Sequence, residues 1–306
     1  MKKKLLSRAR FLSGLLCVGF VLLLQFSHRA GASGSAPRSN PSQRAARLSG
    51  HITVQAAGRG NPWINLSDGR DLELDYTGSA SVAHELERNQ AEPLSLASAD
   101  FDEDGVPDLL CGYVTSSGGI LTLRRGNLDS IYPNSPEAQQ RRREALGEES
   151  LSSGEYAPTP FLADVRVFEA ADAPQFMGTG DFDNDGHLDV VFATAGSSAI
   201  DFLHGDGQGN LGRSETIRLP GRVTAMTTGD INRRDGLEDV VVGIVGVDGP
   251  QVLIFEGPDG VLKATPEAIP LPVEATALAI GQLDDSYEID LAIAAGHELL
   301  IAHGRD

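Results

Sequence analysis

The chain has 306 residues, with 25 Lys or Arg against 43 Asp or Glu and a formal net charge of −18. Six of the basic residues and none of the acids fall in the first 32 positions, leaving 19 basic residues against 43 acids in the remainder. That balance excludes a basic nucleic-acid-binding surface and points to cations, bound or solvating. Apolar residues at 41% exclude a wholly disordered chain, and 35 glycines exceed the usual share of about 7% without a collagen period, so many tight turns are expected.

Positions 1–32 have the layout of a secretion signal: a basic start with Lys2, Lys3, Lys4, Arg8 and Arg10, an apolar run over 11–26, and the small-residue site Ala30-Gly31-Ala32. The run is shorter than the roughly 20 residues a spanning helix needs, so an uncleaved N-terminal anchor is the alternative. The expectation is export, to an extracellular, cell-surface or periplasmic location. Cys17 lies inside the apolar run, so removal of the signal leaves Cys111 as the single thiol. An intrachain disulfide is then impossible, and Cys111, in the stretch DLLCGYV, is expected to be a small core residue. Residues 33–50, rich in Ser, Pro, Gly and Arg, are expected to be a flexible linker.

From 51 to 306 the chain is built on an internal repeat. The segments beginning near Ser95, Phe176, Ala225 and Ala277 align on Asp100, Asp181, Asp230 and Gln282. A unit of about 50 residues, interrupted once in the first interval, falls in the range of propeller blades. Within each unit an apolar small-residue run precedes an acidic loop, a β-branched run follows it, and a third run ends in a Gly turn. Regular short strands without intervening helices predict an all-β antiparallel fold, with blade cores near 94–126, 174–220, 223–270 and 275–306. The insertion at 127–160 contains Ser135-Pro136 before a charged stretch, the pattern of a capped, exposed short helix.

The acidic loops carry the chemistry. In DFDEDGVPD the side-chain oxygens of Asp100, Asp102, Asp104 and Asp108 stand at positions one, three, five and nine, and DFDNDGHLD repeats them as Asp181, Asp183, Asp185 and Asp189. Such carboxylates converge only if the chain curls, which the glycine at position six permits. This number of hard oxygen ligands suits Ca²⁺ better than Mg²⁺, with the main-chain carbonyls of Val106 and His187 at position seven adding one ligand each. Cys111 and Phe192 stand where an EF-hand would place its Glu, so these are calcium loops between strands. The third loop, DINRRDGLED, is a weaker candidate: it has Asp230, Asn232, Asp235 and Asp239 but one extra residue and Arg234. The fourth, QLDDSYEID, lacks the first acid and the glycine and is expected to bind nothing. Two Ca²⁺ sites are therefore expected, with a third open.

These repeats resemble the FG-GAP/VCBS family, which includes integrin alpha-subunit propeller blades and many bacterial exported proteins. The resemblance rests on GDFDNDGHLDVVFATAG at 180–196, its copy at 99–114 and the turn HGDGQGNLG at 204–212, and covers about 94–306. It implies a β-propeller in which each calcium loop joins the first and second strands of a blade, with the metal role carried by the two Asp quartets. It implies no particular ligand, because members use their binding faces for different partners.

The chain stops at HGRD, where the second unit has HGDG, so the last unit is expected to lack its fourth strand. Segment 51–80 is expected to supply either a degenerate fifth blade or that missing strand. An incomplete ring and a fragment of a longer protein are the two alternatives. There is no GxSxG, HExxH, Walker loop or CxxC. His187, His204 and His303 follow from repeat register, and Trp63 suits a packing role ahead of sugar stacking. The leading expectation is a non-enzymatic binding or adhesion module for a protein or polysaccharide. The alternatives are a calcium-dependent polysaccharide lyase and a purely structural module.

Overall fold

The computed structural model describes residues 6–9, 53–55, 63–65, 74–146, 159–231, 237–256, 263 and 265–304. Contacts divide the chain into two units, Leu12–Glu73 and the remainder. In the smaller unit the described residues form one antiparallel hairpin, in which Thr53 faces Asn65 and Gln55 faces Trp63. The linker segment 33–50 and the apolar run 11–26 lie outside the described residues.

In chain order the strands are β1 (Leu6–Ala9), β2 (Thr53–Gln55), β3 (Trp63–Asn65), β4 (Asp75–Thr77), β5 (Glu92–Ala99), β6 (Asp108–Val114), β7 (Gly119–Gly126) and β8 (Phe161–Ala170). They continue as β9 (Phe176–Gly180), β10 (Asp189–Ala193), β11 (Ala199–Leu203), β12 (Glu215–Arg218), β13 (Gly221–Gly229), β14 (Asp239–Gly246), β15 (Gly249–Phe255) and β16 (Glu267–Pro270). The last three are β17 (Ala275–Gly281), β18 (Asp290–Ala295) and β19 (Glu298–Ala302). The helices are α1 (Ala80–Glu87), α2 (Leu128–Ile131) and α3 (Pro136–Leu146).

The larger unit is a series of antiparallel sheets of propeller-blade type, in the orders β5-β6-β7-β8, β9-β10-β11-β12, β13-β14-β15-β16 and β17-β18-β19-β1. The all-β expectation holds, and the described residues form four such sheets. Successive blades touch through their first strands, β5 on β9, β9 on β13 and β13 on β17. Among the described residues β17 and β5 make no comparable contact, so the blades form an open series. The first strands of blades one, three and four share a bulge at the same place, between Pro93 and Ser95, Val223 and Ala225, and Ala275 and Ala277. Such a bulge increases local twist.

The core lies between blades, because β-branched and aromatic residues alternate to both faces of each sheet. Phe101, Leu110, Leu121, Val190, Phe192 and Leu203 fill the space between blades one and two. Phe182, Val191, Phe202, Val240, Val242 and Leu253 fill the next gap, and Val241, Val252, Ile254, Leu291, Ile293 and Leu300 the last. Cys111 is buried as a free thiol, as a core role requires.

Three elements differ from the sequence-based expectation. Among the described residues of segment 51–80, β4 adds in parallel to the outer edge of blade one, Asp75 facing Asp164 and Thr77 facing Arg166, and not to the last blade. The fourth strand of the last blade is β1, with Leu6 facing Ala302 and Ala9 facing Leu299, so residues assigned to the signal complete that sheet. Helix α1 then follows β4 and buries Val82 and Leu86 against Ile120 and Val167, on the face of blade one turned away from blade two. The corresponding outer face of blade four has no such cover among the described residues. Ala277, Ala279 and Leu299 are exposed there, although the residues that match Leu299 and Ala292 in blade three, Val252 and Val241, are fully buried.

The insertion separates β7 from β8, which accounts for the long first interval of the repeat. Helix α3 begins as expected: Ser135 Oγ accepts from Ala138 N at 3.0 Å and Pro136 takes the first helical position. Arg141 forms a two-pronged pair with Asp129 in α2, so its charge is satisfied within the insertion.

Phe202 is fully buried and meets Phe182 edge to face at 6.3 Å between ring centroids. Phe202→Ala should therefore cost about 3–5 kcal/mol, read as a lowered midpoint in denaturant unfolding. A loss below about 1 kcal/mol would contradict the packing of blade two on blade three.

Candidate metal centres

Each acidic loop joins the first and second strands of its blade, so the repeat places its carboxylates at one end of the sheets. In loop one, Asp100 accepts from the backbone amides of Asp104 at 3.1 Å and Gly105 at 2.9 Å. In loop two, Asp181 accepts from Asp185 at 3.1 Å and Gly186 at 3.0 Å. The curl needs left-handed backbone at position six, Gly105 with φ 87° and Gly186 with φ 93°. Position four is left-handed as well, at Glu103 and Asn184. Asp104 and Asp185 cap the following residues, accepting from Val106 N and His187 N, each at 2.9 Å.

Position nine has a second task. Both oxygens of Asp108 accept backbone amides, Phe101 N at 3.0 Å and Gly126 N at 2.7 Å. Asp189 does the same with Phe182 N at 3.0 Å and Gly205 N at 2.9 Å, and Asp290 with Leu283 N at 3.0 Å and Gly304 N at 3.1 Å. In blade three Asp239 accepts from Ile231 N at 2.9 Å. All four carboxylates are buried, and each of the first three ties the acidic loop to the turn after the third strand. A side chain on that turn's glycine would collide with the carbonyl before the aspartate, Pro107 for Gly126, Leu188 for Gly205 and Ile289 for Gly304. The turn therefore requires glycine.

The residue before that glycine faces the position-three acid. Arg125 lies 3.6 Å from Asp102, His204 Nδ1 lies 2.6 Å from Asp183 Oδ2, and His303 Nδ1 lies 3.0 Å from Asp284 Oδ2. Repeat register did place these histidines in equivalent turns, but register alone carries no sign that their rings reach back to the acidic loops. The offset of each HG pair from its DxD was the available signal.

Donor atoms of Asp100, Asp102 and Asp108 lie within 4.8 Å of one another, as do those of Asp181, Asp183 and Asp185, and those of Asp183, Asp189 and His204. The loops thus bring together most of the expected ligands and can hold a metal ion. Asp104 stands outside the first of these groups. The His187 side chain bonds Glu103 of loop one at 2.6 Å, which holds the His187 ring above its ordinary value. In loop three, Asn232 and Asp235 lie outside the described residues.

One oxygen tests the fit to a cation. Asp102 Oδ1 is buried without a hydrogen-bond partner; Arg125, 3.6 Å from its other oxygen, offsets one of three converging carboxylates, and the remaining charge favours a cation. The donor set, all oxygen on curled backbone, matches a hard divalent ion.

Residues 181–242 match the family model of an FG-GAP-like repeat. The matched stretch runs from the first carboxylate of loop two into β14, so it contains loops two and three whole, with the position-nine carboxylates Asp189 and Asp239. No curated protein matches the sequence. Among solved structures the chain is similar to BBS1N in complex with ARL6DN. In the lead-soaked crystal the identity is 15% and the TM-score 0.41, over 70% of this chain and 51% of that one. In the mercury-soaked crystal the values are 13% and 0.39, over 67% and 47%. The V. cholerae biofilm matrix protein Bap1 is 14% identical with a TM-score of 0.31, over 74% of this chain and 39% of that one. The chain thus spans about half the length of the first two and less of the third.

Burial pushes the Asp108 and Asp189 carboxyls up to about 6, against the pull of their amide donors. A carboxyl raised on folding takes up a proton as it folds. In the metal-free chain these two groups therefore favour folding at low pH and oppose it as pH climbs through about 6. A cation favours the ionised form, so added Ca²⁺ should raise the melting temperature more at about pH 7.5 than at about pH 5. An equal rise at both would show that these carboxylates do not sense the ion.

The clasp itself makes a separate prediction. Asp290→Ala should destabilise the metal-free chain by about 1–3 kcal/mol by orphaning two amides, although its loop lacks the calcium pattern. Unchanged stability in chelator would overturn that role.

Proposed function

We propose that this chain is an exported, calcium-binding repeat module that presents its blades as a non-enzymatic binding or adhesion surface for a protein or a polysaccharide. Calcium occupies loops one and two, held by Asp100, Asp102, Asp104 and Asp108 and by Asp181, Asp183, Asp185 and Asp189, with the position-seven carbonyls of Val106 and His187 completing the shells. The observation that carries this reading is the buried, unpartnered Asp102 Oδ1 among converging carboxylates. A bound divalent ion converts that unfavourable group into a ligand and stiffens the loop at the junction of two blades. Export supplies a compartment where calcium is plentiful, and the leader-like N-terminus supports it in its uncleaved form, because Leu6–Ala9 form the fourth strand of blade four. No membrane contact is assigned beyond that N-terminus, and the acidic surface does not suit nucleic acid.

Calorimetric titration of the metal-stripped chain should show two Ca²⁺ equivalents, with one lost in Asp102→Ala and one in Asp183→Ala. Undiminished stoichiometry in both variants would show that the ions lie elsewhere, and no uptake would remove the reading altogether.

A further inference from the structure

Loop four lost the features that a calcium loop needs. Gln282 replaces the first carboxylate and donates its side-chain amide to the Ser286 carbonyl, and Tyr287 stands in place of the glycine. Yet three donors still converge there. His303 Nδ1 lies 3.0 Å from Asp284 Oδ2 and 3.3 Å from Asp290 Oδ1, and ligand atoms of all three residues lie within 4.8 Å of one another. Ligands held about 2.0–2.2 Å from a tetrahedral ion stand about 3.3–3.6 Å apart, so the 3.3 Å His303–Asp290 separation suits such an ion and the 3.0 Å His303–Asp284 contact would open by a few tenths of an ångström around it.

We propose that Asp284, Asp290 and His303 form a site for a divalent transition metal of the zinc class, with the fourth corner open to water. One imidazole nitrogen with two carboxylates suits such an ion and is poor for calcium, which prefers six to eight oxygens. The ligands are held in advance. Leu283 N and Gly304 N fix the buried Asp290, Ser286 N donates to Asp284 Oδ1 at 2.7 Å, and the rigid third-strand turn positions His303. Outer contacts of this kind orient first ligands in metal sites. The same repeat register brings Asp183, Asp189 and His204 together in blade two, where the two acids belong to the calcium loop. There Glu215 lies 3.5 Å from the other ring nitrogen. Blade one has Arg125 at that position, which faces the acid but cannot ligate.

This site uses none of the residues assigned to calcium, so the two readings fail separately. The untagged full chain, stripped of metal and then saturated with Ca²⁺ to fill loops one and two, is titrated with Co²⁺ as a visible-absorption probe and Zn²⁺ as competitor. The expected result is a four-coordinate Co²⁺ spectrum, displaced by Zn²⁺, with affinity reduced at least tenfold in His303→Ala and in Asp284→Asn and unchanged in His204→Ala. His303 and Asp284 are 44% and 39% exposed, so both variants leave the core intact. The absence of such a spectrum, or its persistence at full affinity in His303→Ala, overturns the proposal. Loss of calcium uptake in the wild-type chain bears only on loops one and two.

Discussion

The buried carboxylate at the end of the acidic loop in blades one, two and four is the contact on which the rest of the architecture depends. It gathers amides from two segments that would otherwise end in solvent, the loop between the first and second strands and the turn after the third. An ionised group could not be buried there at tolerable cost without those donors. The turn glycine is its counterpart, since only a residue without a Cβ lets the chain come close enough to donate. Position nine therefore folds the blade, while positions one, three and five curl the loop. Blade four separates the two roles: it keeps Asp290 and its clasp after losing the first acid.

Much of this was legible because the repeat is written in residues whose spacing suits few other local structures. Carboxylates at alternate positions followed by glycine fix the loop, and the β-branched runs behind them fix the second strands. Ser135 before Pro136 marked the start of α3. What escaped was set by tertiary contact. A three-residue edge strand such as β4 has too little pattern to show its partner, and β1 lies in a segment whose composition speaks of export. The amphipathic turn of α1 became meaningful only once blade one had an open face to cover. At the candidate sites the residue types were legible but their directions were not. His187 was chosen for its carbonyl, whereas its ring crosses to Glu103, and the reach of His204 and His303 depends on a turn closing a long hairpin.

The loops also stitch blades together. Gly209 N donates to the Phe101 carbonyl at 2.9 Å, Arg166 of blade one donates to the Gln208 carbonyl and to Asn210, and Asp181 N donates to Glu238 of blade three at 3.3 Å. The curl of each loop is therefore felt by the neighbouring sheet as well as its own. This polar seam runs alongside the apolar packing and fixes the angle at which one sheet meets the next, which apolar packing alone leaves less specified.

Among the described residues, helix α1 seals one end of the blade series, whereas the far face of blade four presents alanines and Leu299 in the positions that seat a neighbour elsewhere. The series consequently has a direction. Its two ends are chemically unlike, so any lengthening of the stack, in evolution by duplication or in engineering by added blades, has a defined point of attachment. A unit appended after β19 would meet a surface already shaped for a sheet, while one placed before β5 would first have to displace a helix.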